Sequence, residues 1–72
     1  MNPTIDLITT NLPTHAERRL FLKMVFGKSS PMCLAGINLE GTPRNAAFSM
    51  WDWFQKQGKE TELSQALNHY FN

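Results

Sequence analysis

The sequence has very little cysteine and no cluster of the side chains that bind metal ions. Cys33 is the only cysteine among 72 residues, so the chain cannot form an internal disulfide. His15 and His69 lie far apart and neither belongs to a His-x-x-x-His pair. We therefore expect no metal site and no cofactor. An unpaired thiol suits reducing conditions, which favours a cytoplasmic location.

Catalytic motifs are also missing. Gly36 and Gly41 are separated by residues without the Lys-Ser/Thr ending of a phosphate-binding loop. Cys33 has no recognisable histidine partner for a Cys-His nucleophile, and Asp52 alone cannot supply a paired acid and base. The sequence predicts no catalytic residues and a protein that is not an enzyme.

Long apolar runs and a strong charge of one sign are absent too. No stretch approaches the roughly 18 apolar residues of a membrane span, and the N-terminus lacks the basic and apolar regions of a targeting signal. The chain has seven Lys and Arg residues and six Asp and Glu residues, which gives a net charge of +1. We therefore expect no membrane binding, and nucleic acid is an unlikely partner.

The length and the residue pattern indicate a single helical domain over residues 1–72. A chain of this size buries only about 60% of its unfolded surface and cannot divide its core in two. Hydrophobic residues make up 42% and charged residues 18%, as in a globular domain. No alternating strand pattern of any length occurs. The expected fold is all-α, a compact bundle of five or six short helices.

The stretch from Gly41 to Gly58 predicts the central helix. Thr42 can cap its first turn, and Pro43 fits the first helical position. Gly58 can adopt the left-handed conformation that ends the last turn. One face at helical spacing is apolar: Ala47, Met50, Trp51 and Phe54.

Similar signals predict shorter helices that pack against it. These helices run from Pro3 to about Thr10, from Thr14 to about Phe26, from Pro31 to Ala35 and from Lys59 to about Phe71. Thr14 and Glu17 form a capping-box pattern, and Ser30 precedes proline as Asn2 and Thr42 do. The expected buried face of the second helix is Leu20, Phe21, Met24 and Val25, widened by Leu22 and Phe26. That of the last helix is Leu63, Ala66, Leu67 and Tyr70.

Surface charge and one spare aromatic ring give the candidate partner-binding residues. Trp53 lies roughly 200° from Trp51 on a helical wheel, so one helix face cannot bury both. The charged candidates are Arg18, Arg19 and Lys23, expected on the solvated side of the second helix, and Glu60 and Glu62. We hypothesise that the basic patch meets the acidic patch of another copy, with Trp53 at the contact. The alternative is that both patches are plain solvated surface and that Trp53 is core.

A small helix-turn-helix DNA-binding regulator is the alternative function. The helix at Pro31 and the helix at Pro43 could form such a pair, with Arg44, Asn45 and Ser49 near the start of the recognition helix. However, the connection between them is longer than the usual tight turn, and the charge balance is too even for phosphate contacts to dominate.

The chain also resembles the death-fold superfamily, in particular the small effector-associated or death-like domains of bacterial defence and signalling proteins. The resemblance rests on Gly36-Ile37-Asn38-Leu39, Ala46-Ala47, Trp51, Phe54, Gly58 to Leu63 and Ala66-Leu67, and in the first half on Leu12-Pro13, Arg18, Phe21 and Val25-Phe26-Gly27. Such domains usually have six helices. The resemblance implies a non-enzymatic adaptor that binds a protein with a similar domain, a second copy included, and links a sensor to an effector such as a protease.

Overall fold

A computed structural model describes residues 2–71, and every regular element in that range is helical. The order is α1 (Pro3–Asn11), α2 (His15–Phe26), a 3₁₀ turn (Gly27–Ser29), α3 (Ser30–Gly36), α4 (Pro43–Lys56) and α5 (Glu60–Phe71). The expectation of an all-α fold is confirmed. None of the helices within residues 2–71 combines the length and the apolar composition that a membrane span requires.

Polar side chains begin the longer helices as the sequence predicts. The side-chain oxygen of Asn2 accepts from the backbone N–H of Thr4 at 2.9 Å, and Thr42 accepts from Asn45 at 3.2 Å. Thr14 accepts from Glu17 N–H, but the Glu17 carboxylate accepts from the Thr14 hydroxyl rather than from its backbone N–H. Only half of the expected capping box therefore forms at the start of α2.

The start of α3 differs from the prediction. Ser30 is the first residue of the helix and is buried, while Ser29 precedes it without a side-chain capping bond. The 3₁₀ turn leads directly into α3, and the N–H of Ser30 bonds to Gly27. Because this backbone bond continues the helical path, no hydroxyl cap is needed there.

Helix α4 ends in a Schellman motif. The N–H of Lys59 bonds to the carbonyl of Phe54 at 2.8 Å, and the N–H of Gly58 bonds to that of Gln55 at 3.0 Å. Gly58 has φ 71°, the left-handed conformation that this motif requires and that glycine adopts at little cost. The predicted end of the central helix is confirmed.

Helix α4 contacts each of the other helices. α1 packs most extensively along it, and α5 packs against both. The ring of Phe54 lies 4.9 Å from that of Phe26 in α2, between centroids, and the indole of Trp53 covers Gly36 of α3. Ala47, Met50 and Phe54 are buried as predicted, whereas Trp51 is half-buried.

The buried face of α2 matches the prediction only in part. Leu20 and Met24 are 53% and 61% exposed, while Phe21 and Leu22 are fully buried. The core stripe is Arg18, Phe21, Leu22 and Val25, which has helical spacing but includes a charged residue. In α5, Leu63 and Leu67 are buried as expected, but Tyr70 is 40% exposed.

Candidate interaction surfaces

Arg18 lies in the core and not on the surface. Only 1% of the residue is exposed, and its guanidinium donates to three backbone carbonyls. Nε donates to Leu12 at 2.9 Å, Nη1 to Leu39 at 2.8 Å and Nη2 to Pro13 at 2.8 Å. The expectation that Arg18 faces solvent within a basic patch is therefore wrong.

The location of these carbonyls explains how a charge can be buried there. Leu12 is the C-cap residue of α1 and Pro13 follows it, so their carbonyls have no helical partner and lie just beyond the negative end of the helix dipole. Leu39 belongs to the loop between α3 and α4. One guanidinium thus neutralises a helix end and fixes a loop, and the buried charge is hydrogen-bonded through all three of its nitrogens.

The other charged candidates are divided between separate places on the molecule. Lys23 is exposed on α2 and Arg19 is half-buried there, while Glu60 is half-buried and Glu62 exposed in the first turn of α5. Among residues 2–71 the ion pairs are Arg44–Asp6 at 3.8 Å and Lys56–Asp52 at 3.0 Å. Neither pair includes the four charged candidates that remain.

Trp53 and Glu62 line one pocket. It lies where α3, α4 and α5 meet and has a volume of about 50 Å³. We call it the Trp53 pocket; its lining is Phe26, Ser29, Met32, Cys33, Trp53, Phe54, Gln57, Lys59 and Glu62. Trp53 is half-buried, packed edge-to-face on Phe54 with ring centroids 5.0 Å apart. It is therefore part of the packing and part of an accessible surface at once.

Cys33 also contributes to this pocket but is almost completely buried. Burial raises the pKa of its thiol, and the nearby charge of Lys59 only partly opposes this effect. A raised pKa keeps the sulfur protonated and weakly nucleophilic at neutral pH. Cys33 thus behaves as a small apolar group.

A second surface, which the sequence analysis missed, lies across α2 and α5. Leu20, Met24 and Tyr70 are all large and exposed, and the Tyr70 hydroxyl donates to the Met24 sulfur at 3.4 Å. The Tyr70 ring stands edge-on to Phe21 beneath it, with centroids 5.5 Å apart. We call these three residues the Met24 surface. The sequence does contain a signal for this surface. Arg18, Phe21, Leu22 and Val25 follow the i, i+3, i+4, i+7 spacing of one helix face, and Leu20 and Met24 fall on another face.

The helix-turn-helix candidates do not form a basic face. Arg44 lies close to Asp6, and Asn45 is exposed, while Ser49 is half-buried. Asp52 and Phe48 are also exposed on α4, and a carboxylate there would oppose contact with phosphate. Six residues connect α3 to α4, and Ile37 and Leu39 of this loop are buried.

In the part of the chain that the structure describes, no three His, Cys, Asp or Glu side chains are grouped to hold a metal ion. Comparison with protein families, with characterised proteins and with solved structures finds no significant match to this chain. The arrangement that remains is two apolar surfaces, each with charged side chains beside it. Such an arrangement can bind a protein.

Proposed function

We propose that the chain is a non-enzymatic interaction domain that recruits a protein partner. The observation that carries this proposal is the Met24 surface. The core is already supplied by fully buried residues such as Phe21, Phe54 and Leu67, so Leu20, Met24 and Tyr70 are not needed to complete it. Large apolar side chains grouped on the surface of a small domain are typical of a protein-binding site.

The surroundings of the two surfaces support the same function. Lys23 lies next to Met24, and Lys59 and Glu62 line the Trp53 pocket. Charged groups at the rim of an apolar contact select partners and orient them, even when each adds little affinity. Trp53 and Glu62 therefore remain partner-binding candidates, together with Lys23, Arg19 and Glu60. Arg18 has a structural role instead.

We also propose an adaptor role, in which the domain binds a protein with a similar domain and links a sensor to an effector in bacterial defence or signalling. The support for this part is the sequence resemblance to effector-associated and death-like domains and the all-helical fold. The cytoplasm is the proposed location, since Cys33 is free.

Affinity purification from the source cells tests the proposal. The tagged wild-type chain should retain a partner in a fixed ratio, and Leu20→Glu combined with Met24→Glu should lose it. Phe48→Glu is the matched control, because Phe48 is a large side chain that is 48% exposed but belongs neither to the Met24 surface nor to the lining of the Trp53 pocket. Retention of the same partner by the double variant would contradict the proposal. Enrichment of DNA instead of protein would favour the helix-turn-helix alternative.

A further inference from the structure

We infer that the partner of the Met24 surface is a second copy of this chain, which receives Met24 in its Trp53 pocket. This inference rests on the proposed function and names the partner and the two contacting surfaces. The surfaces consist of different residues: Leu20, Met24 and Tyr70 on one side, and the α3–α4–α5 pocket on the other. One copy can therefore use both at the same time.

The apolar parts of the two surfaces match in kind and in size. Met24 is 61% exposed, and the pocket is lined by Phe26, Met32, Trp53 and Phe54 together with polar groups. A thioether is flexible and makes favourable contacts with aromatic rings. A water needs about 10–15 Å³ of such space, so the volume of about 50 Å³ has room for the end of one long side chain. The pocket does not have room for a second ring system.

The charges beside the two surfaces are complementary. Lys23 is exposed and lies three residues after Leu20, a neighbouring position on the helix surface, and Glu62 lines the pocket that would receive Met24. On the other side of Leu20 lies Glu17, and Lys59 also lines the pocket. Each surface thus carries one acid and one base, so Lys23 can pair with Glu62 and Glu17 with Lys59 across the contact. Opposite charges at two points fix the register of a contact more than they strengthen it.

The contact joins unlike surfaces, so it is head to tail. Each copy that offers Met24 keeps its own Trp53 pocket open for the next copy. The expected assembly is a chain or a ring rather than a closed symmetric dimer. The contact is small, and a weak association that depends on concentration and salt is expected.

Light scattering on purified protein tests this inference through two charge reversals. Wild-type mass should rise with concentration, whereas Lys23→Glu and Glu62→Lys should each remain monomeric. An equimolar mixture of the two variants should associate again, because each supplies the intact surface that the other lacks. Lys28→Glu and Glu40→Lys are matched controls at exposed positions outside both surfaces and should behave like wild type. Circular dichroism of every variant checks that the helices are retained.

Neutral variants keep the test valid if a reversal disturbs a helix end. Lys23→Gln and Glu62→Gln should weaken association about threefold or more, and Met24→Gln about tenfold, by loss of the apolar contact. A wild type that stays monomeric to millimolar concentration would overturn the inference, as would a variant mixture that fails to associate. Suppose that copies of the chain fail to associate while the Leu20→Glu and Met24→Glu double variant still loses a cellular partner that the wild type retains. In that case the proposed function stands, and only the identification of the partner as a second copy is wrong.

Discussion

The guanidinium of Arg18 donates to the carbonyl oxygen of Leu39, 2.8 Å away and 21 residues later in the chain. Two further bonds join the same side chain to Leu12 and Pro13. One buried residue of α2 therefore connects the end of α1 with the loop that precedes α4. In the α3–α4 loop, Ile37 continues the last turn of α3 by donating to Cys33, and the Arg18 contact together with the burial of Ile37 and Leu39 helps to fix the path that follows.

Replacing Arg18 should cost more stability than replacing any exposed basic residue. Arg18→Ala would leave three carbonyls without their donor and is expected to lower the free energy of unfolding by about 3 kcal/mol. Arg18→Lys should recover only part of this loss, because an ammonium cannot match the planar spread of three donors. Urea denaturation measures both, with exposed Lys28→Ala as the control. A loss for Arg18→Ala no larger than that of the control would contradict the structural role.

Gly36→Ala should displace the indole of Trp53. A Cβ at this position would overlap Trp53 Nε1 and lie 3.1 Å from its Cδ1. We expect a cost of about 1–3 kcal/mol and an altered tryptophan emission spectrum, since the ring must rotate out of its site. In the Trp53→Leu background the same substitution should cost clearly less. Equal costs in both backgrounds would show that the ring does not restrict position 36.

Gly58→Ala should destabilise the end of α4 although there is room for the methyl group. No heavy atom lies within 4 Å of an added Cβ, but φ is 71°. An L-residue in this conformation costs about 1–2 kcal/mol. Gly58→Asn should cost less than Gly58→Ala, because asparagine tolerates the left-handed region. The order of the two unfolding midpoints is the test, and the reverse order would contradict the explanation.

The buried thiol of Cys33 should make stability fall at alkaline pH. Its pKa is raised by burial above the ordinary value of 9.0. Below pH 9.0 both folded and unfolded chains hold the proton, and above it the unfolded chain releases the proton first. The free energy of unfolding should therefore decrease by up to about 1.4 kcal/mol per pH unit above 9.0, until the pH passes the folded pKa.

Cys33→Ala provides the comparison for this effect. The difference between wild type and Cys33→Ala, measured by denaturation at neutral pH and near pH 10, isolates the thiol from the other titrating groups. Native wild type should also react slowly with a thiol reagent, and quickly once it is unfolded. Fast labelling of the native protein would show that the sulfur is accessible.

The helix ends could be predicted from the sequence because their causes are local. Thr42, Pro43 and Gly58 act on backbone groups within one turn, and the structure places the ends of α4 where these residues indicate. The α4 face was predictable as well, since Ala47, Met50 and Phe54 share a helical stripe.

The burial of Arg18 could not be predicted in the same way. Its three acceptors come from two loops, and their arrangement depends on how α1 and α4 pack. The sequence pattern predicts Arg18 on the solvated side and Leu20 and Met24 in the core, and the structure reverses both placements. The predicted face of α2 therefore gives no sign of the Met24 surface. The Trp53 pocket likewise forms from three helices and has no local pattern.

The hydroxyl of Thr4 lies 2.7 Å from that of Ser64, which joins the first helix to the last. Because α1 packs on α4 and α5 and these are synthesised after α2 and α3, the burial site of Ile5 and Ile8 is complete only once α5 has been synthesised. Helix α1 is therefore synthesised before the other helices but can dock fully only after α5. Docking of α1 is therefore expected to be among the last steps of folding, and a chain truncated before α5 should be open and protease-sensitive.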